Sequence, residues 1–222
     1  MVTELDDRQV VADTLIIPMP AEVVDEAAAL HLAGFAGYMN ARLGHRYARA
    51  FIDWFRRQPE GICLGAVHDG ELAGYVVGAP IGYNRRMNRD LFLVAATSAL
   101  ARPWLFADGA IRRQIRARLK ILLGGTRQAQ AQIPFPTPAV SLVGICVSPG
   151  MHRRSIADRL IDAFEAEARS RGIRTLRLSV YRENAAARRL YEKHGWLPDE
   201  SGEKDPIDYY LVMQDQAVLS NA

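Results

Sequence analysis

The stretch from Val147 to Ala157 could bind an anion. It leaves an apolar segment, turns at Pro149 and enters a segment with helical spacing, and Arg153 and Arg154 lie just before the helix would begin. The first backbone N–H groups of a helix have no intrahelical partners, and the helix dipole favours negative charge at that end. These residues therefore predict either a phosphate site or a basic, solvated helix start, and their types alone do not separate the two.

The next helical segment contains a tyrosine near its end. Asn184 precedes a helical run that ends near Gly195, and Tyr191 lies close to the end of that run. Asn is a preferred N-cap residue, so Asn184 indicates where the helix begins. Without further context, Tyr191 is expected to be a half-buried packing residue.

Both blocks resemble the GNAT N-acetyltransferase superfamily. The first is similar to the family's acyl-CoA pyrophosphate loop, which usually reads R/Q-x-x-G-x-G/A, at the positions of His152, Ser155 and Ala157. The second, from Asn184 to Trp196, closely resembles the family signature N-x-x-A-x-x-x-Y-x-x-x-G-F/W. The spacing between the two blocks also fits the family.

The resemblance implies a fold, a co-substrate and a mechanism. The fold would be α/β, a mixed, mostly antiparallel twisted sheet with a parallel strand pair splayed at the centre, flanked by helices. Acetyl-CoA would be the co-substrate, without a metal, and a small-molecule amine would attack the thioester directly. Tyr191 would be catalytic and would protonate the departing thiolate. The residues expected to hold the cofactor are Ile145, Cys146, Val147, His152, Arg153, Arg154, Ser155, Ile156, Ala157 and Asn184.

Three aromatic residues would contact the acceptor amine by the same resemblance. Phe35, Tyr38 and Tyr209 are these candidates, and ordinary aromatic packing is the alternative for each of them. Among the histidines, His31 and His68 are expected to be ordinary, partly exposed residues.

The chain departs from the family pattern at two positions. Ser155 replaces the usual Gly, whose missing Cβ lets the backbone approach phosphate closely, so we expect altered phosphate contacts. Ser141 lies near the position where several family members carry a glutamate base, and serine cannot play that role by itself. The sequence leaves the base open among four unranked acids, Glu60, Asp199, Glu200 and Asp208.

Hydrophobic periodicity and turn residues predict the elements that position these groups. Asp69-Gly70 between two apolar runs indicates a hairpin. The wholly apolar run Ala139–Val147 indicates a central strand, parallel to Thr175–Val180 through a right-handed crossover. The predicted strands are Val10–Ile17, Ile62–Val67, Leu72–Val77, Ala139–Val147, Thr175–Val180, Trp196–Pro198 and Tyr209–Met213, and the helices are Ala21–Leu32, Leu43–Arg57, Asp90–Ala101, Ala110–Leu123, Ser155–Arg171 and Asn184–His194.

Charge is concentrated in one segment of the 222-residue chain. Residues 81–138 contain ten Arg and Lys residues and two acidic ones, although the whole chain has a net charge of only +3. We interpret residues 1–222 as one domain with a two-helix insertion at about 81–138. An apolar stripe from Ile111 to Leu122 would pack on the domain or on a second subunit, which leaves a homodimer open. A basic amphipathic helix could instead lie on a membrane surface, which we do not favour.

Several classes of protein do not fit this sequence. Aromatic and basic residues are not interleaved as nucleic-acid binding would require, and no His spacing typical of a metal site occurs. The N-terminus has no apolar signal core, and Cys63 and Cys146 lie singly in apolar runs, so a reducing cytoplasm is expected.

The predicted function is therefore transfer of an acetyl group from acetyl-CoA to a primary amine. The basic insertion favours an anionic acceptor, such as a nucleotide-linked amino sugar. The alternative is a non-catalytic GNAT-like module that binds acyl-CoA as a sensor or scaffold.

Overall fold

The computed structural model describes residues 14–107, 109, 113, 135–151, 155–199 and 205–213. Seven strands form one sheet in the order β1-β2-β3-β4-β5-β7-β6. The strands are β1 (Leu15–Pro18), β2 (Ile62–His68), β3 (Glu71–Pro80), β4 (Ala139–Val147), β5 (Thr175–Val180), β6 (Leu197–Pro198) and β7 (Ile207–Val212). The helices are α1 (Val24–Gly34), α2 (Met39–Arg42), α3 (His45–Arg57), α4 (Tyr83–Asp90), α5 (Phe92–Leu100), α6 (Ile156–Ser170) and α7 (Ala185–Lys193).

The sheet is mixed, as the sequence predicts. Strands β4 and β5 are parallel, and the other neighbouring pairs are antiparallel. The predicted bounds of β4 and β5 are confirmed, and so is the hairpin between β2 and β3. Asp69 and Gly70 both have positive φ values, 50° and 82°, which suits the tight turn between two twisted strands.

The parallel pair is joined over only part of its length. Strand β4 pairs with β5 from Ala139 to Ser141, but β4 continues to Val147, and β5 continues past Arg177 to Val180. Over the same residues β4 remains paired with β3, up to Val147 opposite Gly74. The two strands therefore separate beyond Ser141, and among the described strands none pairs with β4 on the gap side from Leu142 to Cys146.

A β-bulge in β4 accompanies this separation. The register between β3 and β4 shifts where Val77 pairs with Gly144 but Gly78 pairs with Leu142, so Val143 is an extra residue. Such a bulge bends the strand and increases its twist. The first half of β4 is buried, from Ala139 to Leu142, whereas Ile145 and Val147 in the separated half are only partly buried.

Helices cover the two faces of the sheet with separate hydrophobic clusters. Helix α6 packs on one face through Leu160 and Phe164, together with Trp196. Helices α1 and α3 pack on the other face, where Phe51 and Phe55 are buried.

The described start of the insertion differs in detail from the prediction. The predicted helix Asp90–Ala101 appears as α5, preceded by a second short helix, α4. Helix α4 has a single buried residue, Met87, so its sequence shows no apolar stripe that could predict it. The other predicted helix, Ala110–Leu123, lies outside the described residues except at one position.

Candidate active site

Helix α7 holds Tyr191 against the sheet. The helix begins where the Asn184 side chain accepts a hydrogen bond from the backbone N–H of Ala187 at 3.1 Å, so the predicted cap is confirmed. Tyr191 is only 6% exposed. Burial, with a smaller contribution from the nearby Tyr38, raises the pKa of the Tyr191 phenol well above its ordinary value. The side chain therefore keeps its proton throughout the physiological range, as a proton donor must.

Tyr209 packs against Tyr191 and is fully buried, so it has no exposed surface that could line a pocket. Its ring centroid lies 6.2 Å from that of Tyr191, and the residue is 0% exposed. Its hydroxyl donates to Glu192 Oε1 at 2.7 Å and accepts from Arg188 Nε at 3.1 Å. The structure thus places Tyr209 in the core, apart from Phe35 and Tyr38, with which the sequence had grouped it.

The separated half of β4 forms one wall of the gap. It contains Ile145, Cys146 and Val147, all partly buried. The Cys146 thiol turns towards α1 and donates to the carbonyl oxygen of Leu30 at 3.6 Å. Burial raises the pKa of this thiol, so it remains protonated and is a poor nucleophile. Cys146 therefore fits a backbone role in the wall and not an acyl-carrying role.

The start of α6 lies just beyond the end of β4. Ser155 precedes the helix in the left-handed region, with φ of 53°, and its side chain forms no capping bond. Ile156 is buried in the core and Ala157 is partly buried, so the backbone of this first turn is fixed by packing. Residues 152–154, which include His152, Arg153 and Arg154, lie outside the described residues.

The backbone at Ser155 explains why a glycine suits this position, and it leads to a stability prediction. A left-handed conformation costs an L-residue about 1–2 kcal/mol, and glycine avoids that cost but loses about 0.5–1 kcal/mol in chain entropy. We expect Ser155→Gly to raise the free energy of unfolding by about 0.5–1 kcal/mol in urea titrations. Ser170→Gly, at the other end of the same helix, should lower it by about 0.5 kcal/mol. Equal losses in the two variants would contradict the assigned conformation.

Aromatic side chains from the end of α1 pack on the face of β3 and β4 beside the gap. Phe35 lies against β4, because a Cβ built on Gly144 would stand 3.8 Å from Phe35 Cζ. His31 stacks on Phe35 with a centroid distance of 4.7 Å. The His31 Nδ1 atom shares a 2.7 Å hydrogen bond with the Tyr75 hydroxyl. Phe35 is thus held between the bulge of β4 and a buried histidine.

His31 is not the partly exposed residue that the sequence suggested. It is 3% exposed, and burial lowers its pKa to about 4, so the ring is neutral at physiological pH. The helical pattern around His31 is rich in alanine and gives no signal that this position faces the sheet. The buried position of His31 depends on its hydrogen bond with Tyr75 of β3, which is distant in the sequence.

Tyr38 connects Phe35, which packs on β4, with the end of β5. Its ring contacts Tyr181, at the end of β5, with a centroid distance of 5.4 Å. Desolvation and the neighbouring Tyr181, Glu183 and Asp205 raise the pKa of Tyr38. Tyr38 also makes a smaller contribution to the raised pKa of Tyr191. The Phe35 and Tyr38 rings are in edge-to-face contact with a centroid distance of 5.4 Å, so the structure brings these two predicted acceptor-site residues together.

Strand β5 presents a polar row that the sequence prediction missed. Leu176, Leu178 and Val180 belong to the α6 core, so the alternating Arg177 and Ser179 face the other side of the sheet. Both of these side chains bond to the same carboxylate oxygen, Asp208 Oδ1. The alternation of apolar and polar residues after a wholly apolar strand was the available signal for this row.

The described part of the chain shows neither a metal centre nor a membrane span. No group of three or more His, Cys, Asp or Glu residues within it could hold a metal ion. No helix within it is long and apolar enough to cross a bilayer.

Comparisons with known proteins agree with this architecture. Three solved structures share the fold: PaiA N-acetyltransferase of Thermoplasma acidophilum in complex with coenzyme A, a ribosomal-protein-alanine N-acetyltransferase of Brucella melitensis, and an agmatine N-acetyltransferase variant in its apo form. Their sequence identities are 13%, 14% and 15%, and their TM-scores are 0.55, 0.55 and 0.57. Each alignment covers 90% of this chain, and 99%, 99% and 100% of the respective relative.

Sequence comparison is informative for one part of the chain. No curated protein sequence gives a significant match. Residues 121–196 match the model of the acetyltransferase (GNAT) family, a range that includes β4, α6, β5 and α7. The chain has the GNAT fold, and residues 121–196 carry the sequence pattern of the GNAT acetyltransferase family.

Proposed function

We propose that the protein is an acetyl-CoA-dependent N-acetyltransferase that acts on a primary amine of a small molecule. One observation carries this proposal: β4 and β5 separate after three paired residues, and the helix that follows β5 holds a buried, protonated tyrosine, Tyr191, against the sheet. Acetyl-CoA would supply an activated acyl thioester there. The start of α6, where no side chain caps the helix, follows the separated end of β4 in the chain.

The residues present fit such a co-substrate. The backbone edge of β4 at Ile145, with which no described strand pairs on the gap side, can hydrogen-bond an extended amide chain, as the pantetheine arm is. The backbone N–H groups at Ser155–Ala157, where no side chain caps the helix, can donate hydrogen bonds to the pyrophosphate. His152, Arg153 and Arg154 would add polar contacts and charge. Asn184 would contribute by fixing the start of the helix that carries Tyr191.

The chain's own side chains favour direct transfer in a ternary complex. Tyr191 can give its phenol proton to the sulfur that departs as the new amide forms. The thiol of Cys146 is protonated and bonded to Leu30, so it offers no covalent acyl carrier. Because the two cysteines are free, a reducing, cytoplasmic location belongs to the same proposal.

A panel of amines tests the proposal. Purified protein is mixed with acetyl-CoA and one acceptor, and release of the free thiol is followed. The panel contains agmatine, putrescine, a peptide with an N-terminal alanine, glucosamine 6-phosphate and a UDP-linked amino sugar. The last two represent the anionic acceptors that the basic insertion suggests.

We expect at least one primary amine to accelerate thiol release and to yield the N-acetyl product by mass spectrometry. Binding of acetyl-CoA without turnover of any amine would favour the sensor or scaffold alternative. Absence of any binding, measured by calorimetry with coenzyme A, would contradict both.

A further inference from the structure

We propose that Asp208 is the carboxylate that binds the acceptor amine and removes its proton, and that Ser179 and Arg177 position it. This inference rests on the proposed acetyltransferase function. It assigns the acceptor-side acid that the sequence left open, and it implies an acceptor that presents a cationic primary amine.

Strand register places Asp208 beside the gap. The last β5 residue paired with β4 is Arg177, opposite Ser141. Ser179 is the next β5 residue on the same face, so it is the first polar side chain on the free edge of β5. Asp208 of β7 is the direct cross-strand partner of Ser179. Cross-strand partners share one face of a sheet, so Asp208 lies one strand away from the open gap.

The contacts of Asp208 leave one oxygen for a ligand. Arg177 Nη2 donates to Asp208 Oδ1 at 2.8 Å, and Ser179 Oγ donates to the same oxygen. Within the described residues the side chain forms no bond through Oδ2. The side chain is 21% exposed, so it is neither buried nor freely solvated. The carboxylate is thus held in place through one oxygen, and the other can accept a hydrogen bond from an amine.

The other acids that the sequence suggested occupy poorer positions. Glu60 lies in the turn before β2, is largely exposed and pairs with Arg86 at 3.7 Å. Asp199 is bonded through its backbone N–H to the Asp208 carbonyl oxygen, one strand further from the gap. Glu200 lies outside the described residues. Among the acids compared in the described part of the chain, Asp208 is the one that lies closest to the gap in strand order.

The position also complements that of Tyr191. Tyr191 approaches from the α6 side of the sheet, whereas Asp208 faces the side that α1 covers. Tyr181, two residues after Ser179, contacts Tyr38, which in turn interacts with Tyr191. An acceptor that entered beside Phe35 and Tyr38 would therefore have a carboxylate on the β5 side and a proton donor across the gap.

The proposed step balances in protons and bonds. An ammonium group would first lose one proton to solvent through Asp208. The nitrogen then bonds to the thioester carbonyl carbon while the carbon–sulfur bond breaks, its second proton passes to Asp208, and Tyr191 protonates the sulfur. Solvent returns a proton to Tyr191 and removes one from Asp208, so both groups are restored.

Binding of amines to the protein saturated with coenzyme A tests the inference without requiring turnover. Agmatine, putrescine and the alanine peptide are titrated by calorimetry into wild type, Asp208→Asn and two control variants, Glu60→Gln and Asp199→Asn. Asparagine keeps the shape of the side chain and can still accept from Arg177 and Ser179. We expect Asp208→Asn to weaken the best-bound amine by about tenfold or more, and the controls to bind within about twofold of wild type.

Turnover and coenzyme A affinity separate the inference from the proposed function. For an acceptor that is acetylated, kcat should also fall by about tenfold or more in Asp208→Asn, because the proton acceptor is lost. Ser179→Ala, which removes only a positioning contact, should raise the amine KM more than it lowers kcat. Ser179→Thr, which keeps the hydroxyl, should return the amine KM towards the wild-type value. Equal amine binding in wild type and Asp208→Asn, or no amine binding to wild type, would overturn the inference. Unchanged coenzyme A affinity in every variant shows that the fold and the co-substrate site remain intact in either case.

Discussion

Replacement of Tyr191 by Phe is expected to lower kcat by about a hundredfold or more, with the acetyl-CoA dissociation constant changed less than about twofold. The phenol is the group that would protonate the departing sulfur, whereas the ring packs in the core and remains in the variant. A thiolate that leaves without a proton raises the barrier of the transfer step itself. Steady-state kinetics with a turned-over amine and calorimetry with acetyl-CoA measure the two quantities separately.

Tyr209→Phe is the matched control for Tyr191→Phe. It also removes one buried phenol from the same cluster, but that hydroxyl is bonded to Arg188 and Glu192. We expect it to lower the free energy of unfolding by about 1 kcal/mol and to leave kcat within a few-fold of wild type. If both variants lose kcat equally, the effect of Tyr191→Phe is a packing effect and its role as proton donor is wrong.

The pH dependence of wild type follows from the raised pKa of Tyr191. An acid works while it is protonated, and its contribution disappears only as the pH rises through its pKa in the folded protein. Because burial places that pKa above the ordinary tyrosine value of about 10, kcat should show no loss from this group up to about pH 9.5. A decline of kcat centred near neutral pH would have to come from another group.

The sequence was sufficient for the elements with strong local signals. Strands β4 and β5 have the predicted bounds because an apolar run is interrupted at Pro138 and Pro149 in one case and lies between Gly172 and Asn184 in the other. The cap at Asn184 has a local mechanism, a side chain that bonds a backbone N–H three residues later. Such features depend on neighbours in the chain, so they can be predicted from the chain alone.

The geometry of the site depends on contacts between distant residues. The separation of β4 from β5 follows a bulge at Val143, which appears only when the register with β3 is known. Asp208 could not be ranked above Asp199 in sequence, because the difference between them is the order of strands at the sheet edge. His31 was misjudged for the same reason, since its partner Tyr75 is 44 residues away.

The largest stability effect is expected at Gly78, where β3, β4 and α6 meet. A Cβ on this residue would lie 2.5 Å from Phe164 Cε2 and 2.7 Å from the carbonyl oxygen of Ser141. The second contact is with backbone, so no side-chain rotation relieves it. We expect Gly78→Ala to lower the free energy of unfolding by about 3 kcal/mol, at the upper end of overpacking effects. Urea titration followed by circular dichroism measures the change.

Two further variants separate the sources of this loss. Gly37→Ala places a Cβ with no heavy atom within 4 Å and should change the free energy of unfolding by less than about 0.5 kcal/mol. Phe164→Leu removes the ring atoms that overlap the new Cβ but not the Ser141 oxygen. The double variant Gly78→Ala/Phe164→Leu should therefore lose less than the sum of the single losses, yet remain less stable than Phe164→Leu. Strictly additive losses would show that the ring does not limit the site, and the close approach of α6 to the strand junction would then be wrong. Ser141 is also the last β4 residue that pairs with β5, so Gly78 links the stability of the core to the point where the two strands separate.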